Sequence, residues 1–191
     1  MIPRLVVASK NPDKVAEMES VISELGLAGE IVGGLDWPDV DETGATLEEN
    51  ALLKATAVAE ATGLPALADD TGLEVTALGG LPGVNTAHFA GPEATYDDNV
   101  TRLLGELQSA GDRSARFVTV VALVFPDGDQ MTAAGELVGQ IAEQRRGSGG
   151  FGYDPVFEVD GVTFAEMGVD RKNGLSHRAR ALRALAKELG L

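Results

Sequence analysis

A short apolar run that passes at once into a polar turn and a helical repeat constrains this chain most. Leu5, Val6, Val7 and Ala8 form the run, which reads as a buried strand. Ser9, Lys10 and Asn11 interrupt it, and Pro12 suits a first helical position. Val15, Met18, Ile22 and Leu25 then recur at helical spacing, and Gly26 is a natural stop. The order is strand, turn, helix. Lys14 falls in the first helical turn, where the helix dipole disfavours a cation. A bound anion would reverse that preference, because free backbone N–H groups, Ser9, Lys10, Asn11 and Lys14 would converge on it. A capped helix carrying a solvated lysine fits the same residues.

A chain of 191 residues reads as one domain, 1–191, large enough to bury a core. It has no cysteine, so disulfides and cysteine-based metal sites are excluded. The N-terminus lacks the basic-then-apolar pattern of a signal peptide, and no apolar run reaches membrane-spanning length. A cytoplasmic protein without a membrane partner is expected. The formal net charge of −15 argues against a nucleic-acid partner. A small anionic substrate then requires a site that is locally cationic or metal-assisted.

Further along, Glu30–Gly34 reads as a second short strand. Thr46 and Glu49 have capping-box spacing, and Leu47, Ala51, Ala55 and Val58 form one face of a helix. Asn50 and Lys54 share another face, which spacing alone reads as a solvated polar stripe. Leu64–Ala68 reads as a strand ending at Asp69 and Asp70. Neighbours in a strand face opposite ways, so one of these carboxylates enters any given site. Leu73 and Val75 suggest a further strand, and Tyr96–Leu107 a helix with Thr95 as its cap. Ala115–Phe125 and Gln130–Ile141 read as a long hairpin, and Val156–Phe164 as a small one around Asp160-Gly161. A glycine-dense loop spans Gly147 to Pro155. Ser176 caps a last helix, with Leu182, Leu185, Ala186 and Leu189 on its apolar face. These elements predict an α/β fold with a mixed sheet, not a regular strand–helix alternation.

That last helix repeats the anomaly of the first. His177 and Arg178 occupy its first turn, at the positive end of the dipole, and Lys172 lies just before. A substrate with several negative groups would explain both helices. Glu42, Asp69 and Asp70 are then available for Mg²⁺, which prefers carboxylate and phosphate oxygens with water. The glycine loop offers close backbone approach, an aromatic face at Phe151 and a carboxylate at Asp154; its glycines equally suit plain turns.

These residues resemble the inosine/xanthosine triphosphate pyrophosphatase family, the HAM1-like pyrophosphatases of non-standard purine nucleotides. The matching segments are Ser9-Lys10-Asn11-Pro12-Asp13-Lys14, Glu42-Thr43-Gly44, Glu49–Lys54, Ala68–Leu73, Gly149–Pro155 and Ser176-His177-Arg178. They lie in the family's order across nearly the whole chain. The resemblance implies an elongated, two-lobed fold around a long mixed, twisted sheet, with the active-site cleft between the lobes, as a homodimer. It implies hydrolysis of ITP, dITP or XTP to the monophosphate and pyrophosphate with Mg²⁺. The segment Ser9, Lys10, Asn11, Pro12, Asp13 and Lys14 would bind phosphates together with Lys54. Asp70 matches the catalytic carboxylate, Glu42 a second carboxylate on the metal, and Thr71 a substrate contact. Phe151, Gly152, Tyr153, Asp154, Lys172, His177 and Arg178 match the nucleoside side.

Attack of water at the α-phosphorus needs charge neutralisation and positioning more than covalent chemistry. Asp70 is the expected base, and Asp69 a structural group or one supporting the metal ligands. A donor from His177, Arg178 or the loop backbone would favour a 6-oxo purine over adenine. One segment departs from the pattern: where the family more often has Arg, this chain has His88, which is only partly charged near neutral pH. The alternatives are a Maf-like pyrophosphatase of other modified nucleotides and a non-catalytic nucleotide-binding sensor.

Overall fold

The computed structural model describes residues 1–191. In chain order its elements are β1 (Ile2–Val7), α1 (Pro12–Leu25), β2 (Ala28–Ile31), α2 (Leu47–Thr62), β3 (Ala66–Val75), β4 (Pro82–Gly83) and α3 (Tyr96–Glu106). They continue with β5 (Ser114–Val124), β6 (Gln130–Ile141), β7 (Phe157–Val159), β8 (Val162–Thr163), α4 (Val169–Leu175) and α5 (His177–Glu188). The eight strands form one mixed sheet in the order β2-β1-β3-β5-β6-β7-β8, with β4 paired to β3. The chain divides into two compact units. The first comprises Met1–Asp70, Thr119–Gly135 and His177–Leu191; the second comprises Thr71–Val118 and Glu136–Ser176.

In the first unit, strand alternation sorts side chains between two helical layers. Leu5 and Val7 of β1, Leu67 of β3, and Val121 and Leu123 of β5 pack with Met18 and Ile22 of α1 and Leu182 and Leu185 of α5. Val6, Ala8, Ala66, Ala68, Ala122 and Val124, one residue out of step, pack with Ala51, Ala55 and Val58 of α2. The sheet is thus buried on both faces, which explains its unbroken apolar runs. β1 is parallel to both β2 and β3 and lies between them. The order therefore reverses at β1, and the ends of β1 and β3 flank the kind of crevice where α/β sheets bind ligands.

The ends of α1 follow the sequence reading. The Asn11 side chain caps it, and Gly26 leaves it in the left-handed conformation at φ 60°. At α2, Thr46 Oγ1 accepts from Glu49 N, but Glu49 Oε2 accepts from Ala45 N at 2.6 Å, one residue before the box position. The long and the small hairpins form as read, with Asp160 at φ 53° in the turn of the small one. β3 differs from expectation. Asp69 and Asp70 lie inside a ten-residue strand that continues to Val75, and not at a strand end. Both carboxylates are buried and paired, so their charge does not end the strand.

The second unit packs around aromatic rings. Phe157 lies 4.6 Å from Phe117 and 5.2 Å from Phe164 between centroids. Leu73 and Val75 of β3, Leu103 of α3 and Ile141 of β6 complete this core. α4 was not legible in the sequence: its seven residues include Asn173 and Gly174 and carry no apolar repeat.

Candidate active site

The alternation that sorts the core also separates the two adjacent carboxylates. Asp69 follows Leu67 onto the α1/α5 face, and Asp70 follows Ala68 onto the α2 face.

On the first face Asp69 is the centre of a buried ion cluster. Arg178 Nε and Nη2 donate to Asp69 Oδ2 at 3.1 and 3.0 Å. Arg178 Nη1 donates to Glu17 Oε2 at 2.5 Å, and Lys14 Nζ lies 3.5 Å from Asp69 Oδ1. Burial alone would raise the Asp69 pKa, but Lys14, Arg178 and Lys54 outweigh it and hold the carboxyl well below the usual range. Burial likewise opposes the charge of Arg178, and Asp69 and Glu17 restore it, leaving the guanidinium held above its ordinary value. The cations at the starts of α1 and α5 thus meet on one carboxylate. The anion that offsets both helix dipoles is Asp69, part of the protein itself.

On the other face Asp70 sits in a different balance. Asn50 Nδ2 donates to Asp70 Oδ2 at 3.2 Å, and Lys54 Nζ to Oδ1 at 3.3 Å. Burial raises the Asp70 pKa; Lys54 opposes it, Glu42 adds to it, and the net shift is upward. Charge and burial thus drive the pKa values of these neighbouring carboxylates in opposite directions. Lys54 Nζ also donates to Glu42 Oε1 at 3.0 Å. Burial lowers the Lys54 pKa, but Asp70, Asp69 and Glu42 together raise it, so the ammonium stays charged. One cation therefore already lies between the Glu42 and Asp70 carboxylates. No group of three or more His, Cys, Asp or Glu side chains placed to hold a metal ion gathers in the chain.

Asn50 corrects the solvated stripe read from its spacing. It is 1% exposed, and its Oδ1 accepts from Gly44 N at 2.8 Å while its amide holds Asp70. Gly44 explains the Glu42-Thr43-Gly44 segment, since a Cβ there would lie 2.6 Å from Asn50 Oδ1.

The phosphate turn is more self-contained than expected. Asn11 Oδ1 accepts from Asp13 N at 3.0 Å and Lys14 N at 3.4 Å, Ser9 Oγ accepts from Asn11 N, and Pro12 has no N–H. The amides of Asn11, Asp13 and Lys14 are thus engaged within the turn. Lys14 is half-buried beside Asp69. Lys10 is exposed and pairs with Asp39 at 2.6 Å, and it borders a pocket of about 430 Å³ walled by Val7, Val15, Ile31 and Trp37. His177 is buried in the first unit, with Nδ1 2.6 Å from Thr119 Oγ1. Arg178, expected to read a base, is 2% exposed and bound to Asp69 and Glu17 within the ion cluster.

In the second unit the glycine loop wraps Asp154. Its Oδ2 accepts from Phe151 N at 2.9 Å and from Lys172 Nζ at 2.6 Å. Lys172 Nζ lies 4.8 Å from the Phe151 centroid. The Phe151 ring is half-buried, while Tyr153 is buried and donates its hydroxyl to Thr86 O at 3.0 Å. Burial pushes that phenol's pKa up. Tyr153, expected at the substrate, ties the loop to Thr86. Gly152 makes a left-handed turn at φ 60°, and Thr71 is half-buried beside Asp70 in β3.

Gly150 shows why this loop needs glycine. It lies at φ 71°, and a Cβ would fall 1.9 Å from Asp154 Oδ2. Gly150→Ala is expected to cost at least about 1–2 kcal/mol from the left-handed backbone alone. It should also push Asp154 off Phe151 N and Lys172. Urea unfolding checks this; an unchanged midpoint would show that the loop absorbs the methyl group.

The Ham1 family model matches residues 5–188. A dITP/XTP pyrophosphatase of Symbiobacterium thermophilum is 51% identical, covering 94% of this chain and 91% of that protein. One of Methylococcus capsulatus is 50% identical, over 97% and 96%. Among solved structures, a HAM1 protein from Coxiella burnetii superposes with a TM-score of 0.84 at 39% identity, covering 99% of both chains.

Proposed function

The chain belongs to the Ham1 family, and on that premise we propose that it hydrolyses the non-standard purine nucleotides dITP, XTP and ITP to monophosphate and pyrophosphate. The observation that carries this reading is a buried, upward-shifted Asp70 paired with Lys54, with Lys14 on the adjacent Asp69, in a chain of net charge −15. These lysines gather at carboxylates that suit a metal ion, and a polyphosphate requires such positive charge in an acidic protein. Relatives named dITP/XTP pyrophosphatase over nearly their whole length support the substrate class. They also separate this chain from a Maf-like enzyme.

Asp70 accepts the proton of the attacking water. Burial and the Glu42 charge raise its pKa, the direction that makes a carboxylate a stronger base. Asn50 fixes its orientation. Lys14 and Lys54 face the phosphate charge, with Ser9 and Asn11 as neutral partners. Glu42 and Asp70 fit Mg²⁺, which commonly takes one or two carboxylates and completes its shell with substrate phosphate and water. Lys54 already shows a cation lying between them. When bound, the metal supplies charge neutralisation at the phosphate oxygens. In the second unit, Phe151 stacks on the purine, and donors of its loop favour a 6-oxo group over the 6-amino group of adenine. With this reading go a cytoplasmic location, where the nucleotide pool lies, and a homodimer, the latter implied by the family resemblance.

Hydrolysis of ITP in ¹⁸O-water tests the point of attack. Attack at the α-phosphorus places the label in IMP and leaves pyrophosphate unlabelled. Label in pyrophosphate or in released orthophosphate would move the attack to another phosphorus and end this mechanism.

A further inference from the structure

Tyr96 stands beside the loop assigned to the base, although its place in the sequence marked it only as the start of a helix. Its ring lies 6.1 Å from that of Phe151 between centroids, tilted by 42°. It is 44% exposed. Two anchors hold it there. Thr95 and Asp98 form a reciprocal capping box around the first turn of α3, with Thr95 N to Asp98 Oδ2 at 2.9 Å. Arg145 Nη2, two residues before the glycine loop, donates to Asp97 O, Asp97 Oδ1 and Thr101 Oγ1 at 3.1, 2.9 and 2.7 Å. The loop's own stem thus grips the turn that carries Tyr96.

Phe151 also meets Asp154 through its backbone N–H and the Lys172 ammonium near its ring. Neither contact restrains the side chain's rotation as a neighbouring ring does. We propose that Tyr96 is a positioning residue for base recognition, fixing the Phe151 ring in the orientation that stacks on the purine. The proposal rests on the reading of Phe151 as the stacking residue. Tyr96 acts through Phe151 and does not form the second side of a slot. A base between two rings needs roughly 7–8 Å, twice the usual carbon–carbon contact, and these centroids are 6.1 Å apart and inclined.

Such aromatic pairs contribute enough to change affinity on the order of 2- to 10-fold. Tyr96→Ala is therefore expected to raise KM for ITP by that factor with little change in kcat, and Tyr96→Phe to retain wild-type KM. In a Phe151→Ala background, Tyr96→Ala should add nothing, because the ring it restrains is gone. An undiminished effect there, or an unchanged KM in Tyr96→Ala with Phe151 intact, would overturn the proposal. NMR of the phenylalanine-labelled protein without nucleotide supplies a second arm. The Phe151 ring signals should shift and narrow in Tyr96→Ala and stay in place in Tyr96→Phe. Unmoved signals in Tyr96→Ala would overturn the proposal even with no substrate present. Absence of ITP turnover by the wild-type protein would end the functional reading instead, and the ring signals would still decide whether Tyr96 holds Phe151.

Discussion

Asp70→Asn is expected to lower kcat for ITP by on the order of 10²-fold or more, the usual scale for a lost general base, while leaving the fold intact or more stable. The first half follows from the chemistry: an amide takes no proton from water and is a poor Mg²⁺ ligand. The second half follows from the upward pKa shift. Burial and Glu42 disfavour the Asp70 charge more than Lys54, Lys14 and Asn50 favour it. A group whose folded pKa is raised costs stability above that pKa, and the cost vanishes as pH falls below the unfolded value of about 3.9. Removing the charge should thus raise Tm at neutral pH, with the gain shrinking in acid. Thermal melts in metal-free buffer and steady-state kinetics on one preparation test both halves. Full activity in the variant would show that another group serves as the base.

The neighbouring substitution should behave in the opposite way. Asp69→Asn removes the carboxylate shared by Arg178 and Lys14 inside the first unit. Breaking a buried ion pair by removing one partner costs about 3–5 kcal/mol. For a chain of this length that corresponds to a Tm loss of roughly 2–4 °C per kcal/mol. The pH dependence carries the sign. The folded Asp69 pKa is depressed, so its contribution is present above the unfolded value of about 3.9 and is lost as pH falls toward the folded one. The gap between wild type and variant should therefore narrow below that pH. Turnover per folded molecule should fall less than in Asp70→Asn. Equal Tm values at pH 7 would mean that the cluster stabilises nothing.

The division of labour between these two carboxylates was partly legible in the sequence. Alternation in a strand predicts that Asp69 and Asp70 face opposite ways, and they do. Which one bears which role depends on what the two faces meet, and that is set by α1, α5 and α2, distant in sequence. The cations at the starts of α1 and α5 were a correct signal with an incomplete explanation. They suggested a polyanionic substrate, but within the protein both meet Asp69. Arg178 is buried against Asp69 and Glu17. Charged residues in mid-strand are poor strand signals, so the apolar run ends at Ala68 although β3 continues through Asp69 and Asp70 to Val75. Asn50 was passed over because a polar residue on an amphipathic helix is ordinarily solvated. Its link to Gly44 spans six residues, but its link to Asp70 spans twenty.

The residues proposed for the base show the same limit. Phe151, Asp154 and Lys172 meet one another, but Lys172 is delivered by α4, which has no apolar repeat to announce it. Tyr96 lies 55 residues from Phe151 in the chain, and only the packing of α3 beside the glycine loop joins them. Tyr153, adjacent in sequence to the residues that gather there, turns inward to Thr86.

The most direct measurement is a product assay across a panel of nucleoside triphosphates, with and without Mg²⁺, that identifies each phosphorus-containing product and gives kcat/KM for each nucleotide. The account predicts monophosphate and pyrophosphate in equal amounts, Mg²⁺-dependent turnover, and kcat/KM for ITP, dITP and XTP well above that for ATP. Orthophosphate from the γ position as the first product, or no preference for the 6-oxo purines over ATP, would contradict it.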